Sequence, residues 1–253
     1  MIYLTGDIHG QKNRFQNILL FCKQYKTTKD KDIMIILGDS GLNYYCDNRD
    51  YFLKKYVSNI PISFICIQGN HEERPEKIST YKYTTIDTED VFGSFWYEKE
   101  YPNILFASNA SYFILDDKYF YVIGGAYSVD KQYRLEKFKQ GFTDYKWFAD
   151  EQPNMFEKSC TQISIKNEPY KFEYILTHTC PSKYIPTEMF LPNINQETVD
   201  RKTEEFLDYV EENTKYKKWF CGHWHCDKQI DNIRFLYKDI VRLGDDGNVS
   251  LCW

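Results

Sequence analysis

The stretch IYLTGDIHG, residues 2–10, joins a short apolar run to a glycine turn that carries an acid and a histidine. The same pattern recurs at DIMIIL (32–37) and ISFICI (62–67), which also lead into glycine-containing turns. Short continuous apolar runs are typical of strands buried in a parallel sheet. Residues 11–25 and 48–58 lie between these runs and carry apolar positions at helical spacing. The chain therefore opens as a βαβαβ unit of an α/β fold.

The middle of the chain changes character and predicts antiparallel strands. Residues 92–125 contain several short aromatic-rich runs separated by turn residues. We expect the aromatic-rich segment, about 92–160, to supply strands of a second sheet and a rim or lid, with one or two short helices from 129. Further strands are expected at 172–177, 218–221, 233–237 and 248–252, and a helix near 197–213. No repeat or linker interrupts the sequence, so a single domain over 1–253 is predicted.

The composition narrows the classes of partner and compartment. The formal net charge of −5 gives no generally basic surface for nucleic acid, which is therefore disfavoured as a partner. The N-terminus lacks the pattern of a signal peptide, and no run approaches the ~18 apolar residues of a membrane span. A cytoplasmic protein without membrane association is expected.

The eight cysteines are scattered and include no CxxC pair, which favours reduced thiols over disulfides. Cys221 and Cys226 flank two histidines and are the cysteines to consider as zinc ligands. Zinc thiolate sites normally use closer pairs that occur twice, so we expect these two cysteines not to bind metal.

All five histidines follow predicted strands directly; they are His9, His71, His178, His223 and His225. Ligands of open α/β sheets bind beyond the carboxyl ends of the strands, so these side chains are expected to converge on one place. A single histidine of this kind is more often a hydrogen-bonded structural residue. Five histidines that share the position favour a common site.

The same strand ends carry Asp7, Asp39 and Asn70, whose oxygen atoms, together with imidazole, suit Mn, Fe or Zn. In an extended segment residues i and i+2 project to the same side, so Asp7 and His9 can face one ion, and so can His223 and His225. With His178 the candidates number seven, too many for one catalytic zinc. Two divalent metal ions that share a carboxylate fit the count, and such pairs assist displacement at phosphorus.

The ordered motifs resemble those of the calcineurin-like metallophosphoesterase superfamily. They are GDIHG (6–10), GDSG (38–41), GNHE (69–72), THTCP (177–181) and GHWH (222–225). The resemblance implies an α/β fold of the four-layer α/β/β/α type with a dimetal centre. It extends over almost the whole chain, and the block GGAYSVDKQYR (124–134) is similar to one in small bacterial and phage-type members.

By this resemblance, Asp7, His9 and His225 would bind the first metal, and Asn70, His178 and His223 the second, with Asp39 as the bridge. A metal-bound hydroxide would attack phosphorus. His71 would be the catalytic proton donor, next to Asn70 of the same motif. An imidazole that titrates near neutrality suits this role.

The second motif departs from that of the Ser/Thr protein phosphatases, since Leu42 and Asn43 replace an acid and a phosphate-binding arginine, and Gln68 replaces another arginine. A phosphoprotein substrate is therefore in doubt, and a small-molecule or nucleotide phosphate ester is expected. Arg74 and Arg134 are the candidates to bind its phosphate, because a guanidinium binds phosphate in a bidentate manner. Arg134 could equally lie on a solvated helix face.

Two alternative interpretations remain open beside the phosphoesterase, for which monoesters and diesters fit equally. A metal-dependent nuclease would need a positive groove, which the formal charge does not support. A scaffold or binding protein that had lost its chemistry would be expected to lack ligands, whereas this chain has all seven candidates and His71.

Overall fold

A computed structural model of the chain describes residues 1–192 and 194–253. In this part of the chain, fourteen strands form one large curled sheet. The strands are β1 Ile2–Thr5, β2 Ile33–Ile36, β3 Ser63–Cys66, β4 Tyr81–Asp87, β5 Val91–Glu98, β6 Ile104–Ala107, β7 Ser111–Leu115, β8 Lys118–Ile123, β9 Tyr174–Thr177, β10 Lys218–Cys221, β11 Lys228–Ile230, β12 Ile233–Phe235, β13 Val241–Leu243 and β14 Val249–Leu251. The α-helices are α1 Lys12–Tyr25, α2 Asn48–Val57, α3 Lys131–Lys139, α4 Met155–Asn167 and α5 Lys202–Asn213.

The sheet contains two parallel blocks. Strands β6, β3, β2 and β1 form the first, and β8, β9, β10 and β12 form the second. Antiparallel strands β5 and β7 connect the blocks, and β4 pairs with β5. The first block realises the βαβαβ opening that the sequence predicts, with β1, β2 and β3 in parallel register.

Three buried clusters account for the packing of the sheet and helices. One joins α1 and α2 to one face of β1–β3, through Phe15, Ile18, Tyr3, Met34 and Phe64 among others. A second joins the opposite face of those strands to β8–β10. A third packs α4 and α5 on the remaining face of β8–β10. The helices that pack on the sheet thus cover its outer faces. The strands of the two parallel blocks are therefore buried on both sides, as is usual for parallel strands.

Some elements differ from the sequence predictions. The helix expected near 197–213 begins only at Lys202, because Gln196–Thr198 forms a separate 3₁₀ turn. Strand β4 was not predicted: its YKYTTID sequence has one buried residue, so no apolar run marks it. Strands β11 and β13, each of three residues, were also missed. Over the described residues, no helix has both the length and the apolar character to cross a membrane.

Candidate metal centre

The candidate ligands follow strands of both parallel blocks. Asp7 and His9 follow β1, Asp39 follows β2, and Asn70 follows β3. The second block contributes His178 after β9 and the pair His223 and His225 after β10. Because parallel strands end at the same edge of a sheet, the curled sheet brings the carboxyl ends of the two blocks together. Their side chains form two overlapping groups of potential metal ligands.

The first group consists of Asp7, His9 and His225, whose ligand atoms lie within 4.8 Å of one another. The Nε2 atoms of the two imidazoles are 2.9 Å apart. One oxygen of Asp7, Oδ2, accepts a hydrogen bond from the His223 backbone N–H at 2.8 Å. The other, Oδ1, is buried without a hydrogen-bond partner in the described structure, which is costly unless a cation or proton satisfies it. Oδ1 of Asp7 is therefore suited to bind a metal ion.

The second group consists of Asp7, Asp39 and His178. His178 donates from Nδ1 to the Leu37 carbonyl oxygen at 2.8 Å, which leaves Nε2 as the free ring nitrogen of a neutral imidazole. Nε2 faces oxygen atoms of Asn70 at 2.8 Å, Asp39 at 3.5 Å and Asp7 at 3.8 Å. A nitrogen lone pair surrounded by three acceptors needs a cation or an added proton between them. The donor set therefore fits a divalent metal, with Asp7 common to both groups.

Asn70 links the second group to the remaining histidine. Its Oδ1 lies 2.8 Å from His178 Nε2 and 3.2 Å from His223 Nδ1. Its Nδ2 donates to Ser128 Oγ at 2.8 Å, which fixes the amide so that the oxygen faces the histidines. Ser128 was not predicted as a site residue, although it belongs to the GGAYSVDKQYR block.

The pKa shifts in the cluster reflect burial and the neighbouring charges. Burial opposes a charge on His178, but Asp39 and Asp7 outweigh it and raise the pKa of His178 to about 9. Burial is the main cause that raises the pKa of Asp7 to about 7, and Asp39 adds to it. Burial and the adjacent His9 lower the pKa of His225 to about 4. Because a neutral imidazole is the form that binds metal, His225 is ready to bind, whereas a metal at His178 would displace a proton.

His71 lies beside this cluster without being part of either group. Its backbone N–H donates to Asp39 Oδ1 at 2.8 Å, and its ring centroid lies 5.8 Å from that of His9. Its Nδ1 is buried and has no hydrogen-bond partner in the described structure. Burial lowers the pKa of His71 to about 4, below the near-neutral value expected from the sequence.

The backbone of the site differs from the extended geometry that the sequence analysis assumed. His9, Asp39, His223 and His225 all have positive φ angles, between 46° and 66°. The strands end before these residues, so alternation along a strand does not orient the pairs. His225 instead groups with Asp7 and His9, whereas His223 faces Asn70. The geometry of the turn, and not alternation along a strand, therefore directs His223 and His225 to different groups.

Two glycines of the motifs lie so close to potential ligands that a side chain would not fit. A Cβ on Gly38, whose φ is +85°, would lie 2.2 Å from His178 Nδ1. A Cβ on Gly222 would lie 2.7 Å from both Asp7 Oδ2 and the Leu37 carbonyl oxygen. Any side chain at these positions would displace a potential ligand. The glycines of GD and GH thus make room for ligands that come from other strands.

Arg74 does not reach the cluster, which corrects its expected contact with substrate. Its buried guanidinium pairs with Glu157 at 2.5 Å and with Asp150 at 2.9 Å, and it also donates to the Gln152 carbonyl oxygen. Glu157 caps the first turn of α4 through Asn154. Arg74 therefore ties the loop after β3 to α4 and faces away from the ligands, despite its closeness to His71 in sequence.

Arg134 does lie at the site. It lines two cavities that also contain His9 and His71. Its Nε donates to Asp130 Oδ2 at 2.7 Å, and its Nη1 donates to Tyr44 Oη at 2.9 Å. These contacts hold a guanidinium beside the two histidines, on α3 of the aromatic-rich segment.

Three further residues that support the candidate ligands were not predicted from the sequence. Arg14 donates to the Asp7 carbonyl oxygen at 3.1 Å and lies over the Tyr237 ring at 4.8 Å. Tyr237 in turn stacks on His225, with ring centroids 4.6 Å apart. Glu72, the last residue of GNHE, accepts hydrogen bonds from Ser40 Oγ and the Gly69 N–H. Glu72 belongs to the GNHE motif, as Ser128 belongs to the GGAYSVDKQYR block, whereas Arg14 and Tyr237 lie outside the quoted motifs.

Trp224 lies between the two histidines of the GHWH motif, and Cys221 and Cys226 flank the motif. Trp224 is half-buried, packs against the third cluster and donates from Nε1 to Thr179 Oγ1 at 3.2 Å, and it also lines one cavity. Cys221 and Cys226 belong to neither ligand group of the described chain.

Comparisons with known proteins identify the family. A search of curated proteins finds no match. The solved structure of TT1561 of Thermus thermophilus is similar in fold, with a TM-score of 0.53 at 9% sequence identity over 99% of this chain and 96% of that one. A second solved structure has a TM-score of 0.55 at 10% identity and covers 99% and 97% of the two chains. The family model for calcineurin-like phosphoesterases matches residues 1–227, so the chain belongs to the calcineurin-like phosphoesterase family.

Proposed function

We propose that the protein is a hydrolase of phosphate esters that depends on two divalent metal ions. The observation that carries this proposal is the pair of overlapping ligand groups that share Asp7, whose Oδ1 is buried without a partner among residues 1–192 and 194–253. Asp7, His9 and His225 would hold one cation, and Asn70, His178 and His223 the other. Asp39, between His9 Nδ1 at 3.7 Å and His178 Nε2 at 3.5 Å, would bridge them.

The metals, when bound, would polarise the phosphoryl oxygens and lower the pKa of a water molecule. The chain itself must deliver a proton to the leaving oxygen. His71 is placed for this role beside His9, and its Nδ1 has no other partner in the described structure. An anionic phosphate next to the imidazole would favour its protonated form, in opposition to the burial that lowers the pKa of His71.

Arg134 is proposed to bind the phosphoryl group. Its Asp130 and Tyr44 contacts orient the guanidinium toward the cavities that His71 also lines. A guanidinium stays charged throughout turnover and donates in a fixed planar arrangement. Arg134 takes the place of the arginines that the protein phosphatase motifs supply and that this sequence lacks.

We also infer that the curled sheet forms the two inner layers of an α/β/β/α sandwich in a single domain. The second hydrophobic cluster supports this arrangement, since it combines residues of β1–β3 with residues of β8–β10. The first and third clusters place helices on the outer faces. The cytoplasmic location stays a prediction.

Metal analysis of purified protein tests the proposal directly. After incubation with Mn²⁺ and removal of free metal, we expect about two ions per chain, because the site offers two ligand groups. Asp39→Asn, which alters the proposed bridge, should weaken the binding of both ions, whereas Asp245→Asn, at an exposed residue outside both ligand groups, should weaken neither. The loaded protein should hydrolyse 4-nitrophenyl phosphate or bis(4-nitrophenyl) phosphate. Absence of metal uptake by folded wild-type protein would disprove the proposal.

A further inference from the structure

Two cavities of contrasting chemistry meet at the ligand cluster. One, of about 470 Å³, is lined by Met189, Phe190, Leu191, Ile194, Val199 and Trp224, and we call it the apolar cavity. The other, of about 560 Å³, is lined by Lys12, Tyr45, Arg49, Asp50, Tyr56 and Asp144, and we call it the polar cavity. His9, His71 and Arg134 line both.

The shared residues locate the reacting phosphorus between the cavities. His71 is the proposed proton donor and Arg134 the proposed phosphate ligand, and His9 belongs to a ligand group. A phosphoryl group in contact with all three would project its substituents into both cavities. A phosphomonoester has one substituent and would leave one cavity to water, whereas a phosphodiester fills both.

The two linings favour different substituents. The apolar cavity is also lined by residues of the ligand cluster and by other polar side chains, but most of its lining surface is apolar. Phe190 and Trp224 contribute to this surface, with ring centroids 6.0 Å apart. Apolar groups gain free energy when they leave water for such a surface. In the polar cavity, the Arg49 guanidinium lies 3.6 Å from the centroid of the Tyr45 ring, and Lys12 lies over Tyr56 at 5.7 Å. Planar groups with polar edges suit a surface formed by tyrosine rings and cations.

We propose that the substrate is an asymmetric phosphodiester, with an apolar substituent held in the apolar cavity and a planar polar substituent held in the polar cavity. The proposal rests on the proposed function. In the reaction, a water oxygen bonds to phosphorus and one P–O ester bond breaks. The leaving oxygen takes a proton, so a phosphomonoester and an alcohol are released.

Binding of phosphonates tests the apolar cavity without turnover. Calorimetry on the Mn²⁺-loaded protein compares methylphosphonate with phenylphosphonate, and we expect the phenyl compound to bind about tenfold more tightly or better. Leu191→Ser should remove most of this advantage, and since Leu191 is 56% exposed the variant should fold. Met189→Ser, at a residue 37% exposed, is the second variant. Ile163→Ser is the matched control: Ile163 is 59% exposed and lines neither cavity.

The outcomes separate this inference from the proposed function. Equal affinity for the two phosphonates, or an advantage that persists in both folded variants, overturns the apolar cavity as a substituent site and leaves the metal centre intact. Failure to take up Mn²⁺ overturns both proposals.

Turnover tests the need for two substituents. Bis(4-nitrophenyl) phosphate fills both cavities in either orientation, so its kcat/KM should exceed that of 4-nitrophenyl phosphate by about tenfold or more. Lys12→Ala should reduce kcat/KM for the diester more than for the monoester, because the single substituent of the monoester can occupy the apolar cavity instead. A preference for the monoester in the loaded wild-type protein would overturn the diester assignment.

Discussion

Replacement of Arg74 by Met should destabilise the fold while it leaves the chemistry of each folded molecule unchanged. The Arg74 side chain is 5% exposed, and its partner Glu157 is 10% exposed. The guanidinium makes two hydrogen bonds to Glu157 and further bonds to the carbonyl oxygens of Asp150 and Gln152. Methionine retains much of the volume but none of these donors.

The size of the effect follows from the carboxylate that remains. Removing one partner of a buried ion pair typically costs about 3–5 kcal/mol, because the other charge stays buried and unpaired. Glu157 would keep its bonds to the Asn109 side chain at 3.0 Å and to the Asn154 N–H at 2.7 Å. We therefore expect the lower end, about 3 kcal/mol. For a chain of this size that corresponds to a fall of about 6–12 °C in Tm.

Thermal unfolding and metal-dependent turnover at 20 °C should be measured on the same samples. Arg242→Met is the matched control, since Arg242 is exposed on β13 and its loss should change stability by no more than about 0.5 kcal/mol. Our reasoning is refuted if Arg74→Met keeps the wild-type Tm but loses turnover per folded molecule. That result would indicate that Arg74 contacts the substrate.

Three further predictions concern the cluster itself. Gly38→Ala would force a Cβ to 2.2 Å from His178 Nδ1, so metal affinity should fall by about 10–100-fold or more, as measured by competition with a chelator. Ser128→Ala removes the hydrogen bond that orients Asn70 and should weaken binding of one of the two ions by about tenfold, whereas unchanged affinity would contradict this role. His71→Asn should retain two ions by metal analysis and lose about 10²–10⁴ in kcat on an ester with a poor leaving group; near-wild-type turnover would exclude it as the proton donor.

The sequence predicted the location of the site better than its internal geometry. Strand ends are visible as apolar runs, and parallel strands bring their ends together, so Asp7 and His178 could be expected to meet although they are far apart in sequence. The direction of a side chain in a turn depends on φ and ψ values that no periodicity encodes. This is why alternation along an extended segment failed to describe His223 and His225, which both have positive φ.

Closeness in sequence led to a wrong prediction for Arg74, because the chain turns between His71 and Arg74. Arg74 is three residues from His71, but the Glu73 N–H bonds to the Asn43 carbonyl oxygen and a 3₁₀ turn follows at Pro75. These contacts direct Arg74 toward α4. Arg14 and Tyr237, in contrast, support the site from opposite ends of the chain. Contacts of such long range depend on the assembled fold and have no local pattern.

The positive φ angles at the site are maintained by backbone contacts of the protein itself. A non-glycine residue in the left-handed region costs on the order of 1–3 kcal/mol, and four potential ligands adopt it here. Such strain persists only where the surroundings fix the backbone. The His9 N–H bonds to the Asp39 carbonyl oxygen at 2.7 Å, and the Gly222 N–H bonds to that of His178 at 2.9 Å. Each bond connects turns that follow two different strands. The strand ends therefore hold one another in the geometry of the candidate ligand groups.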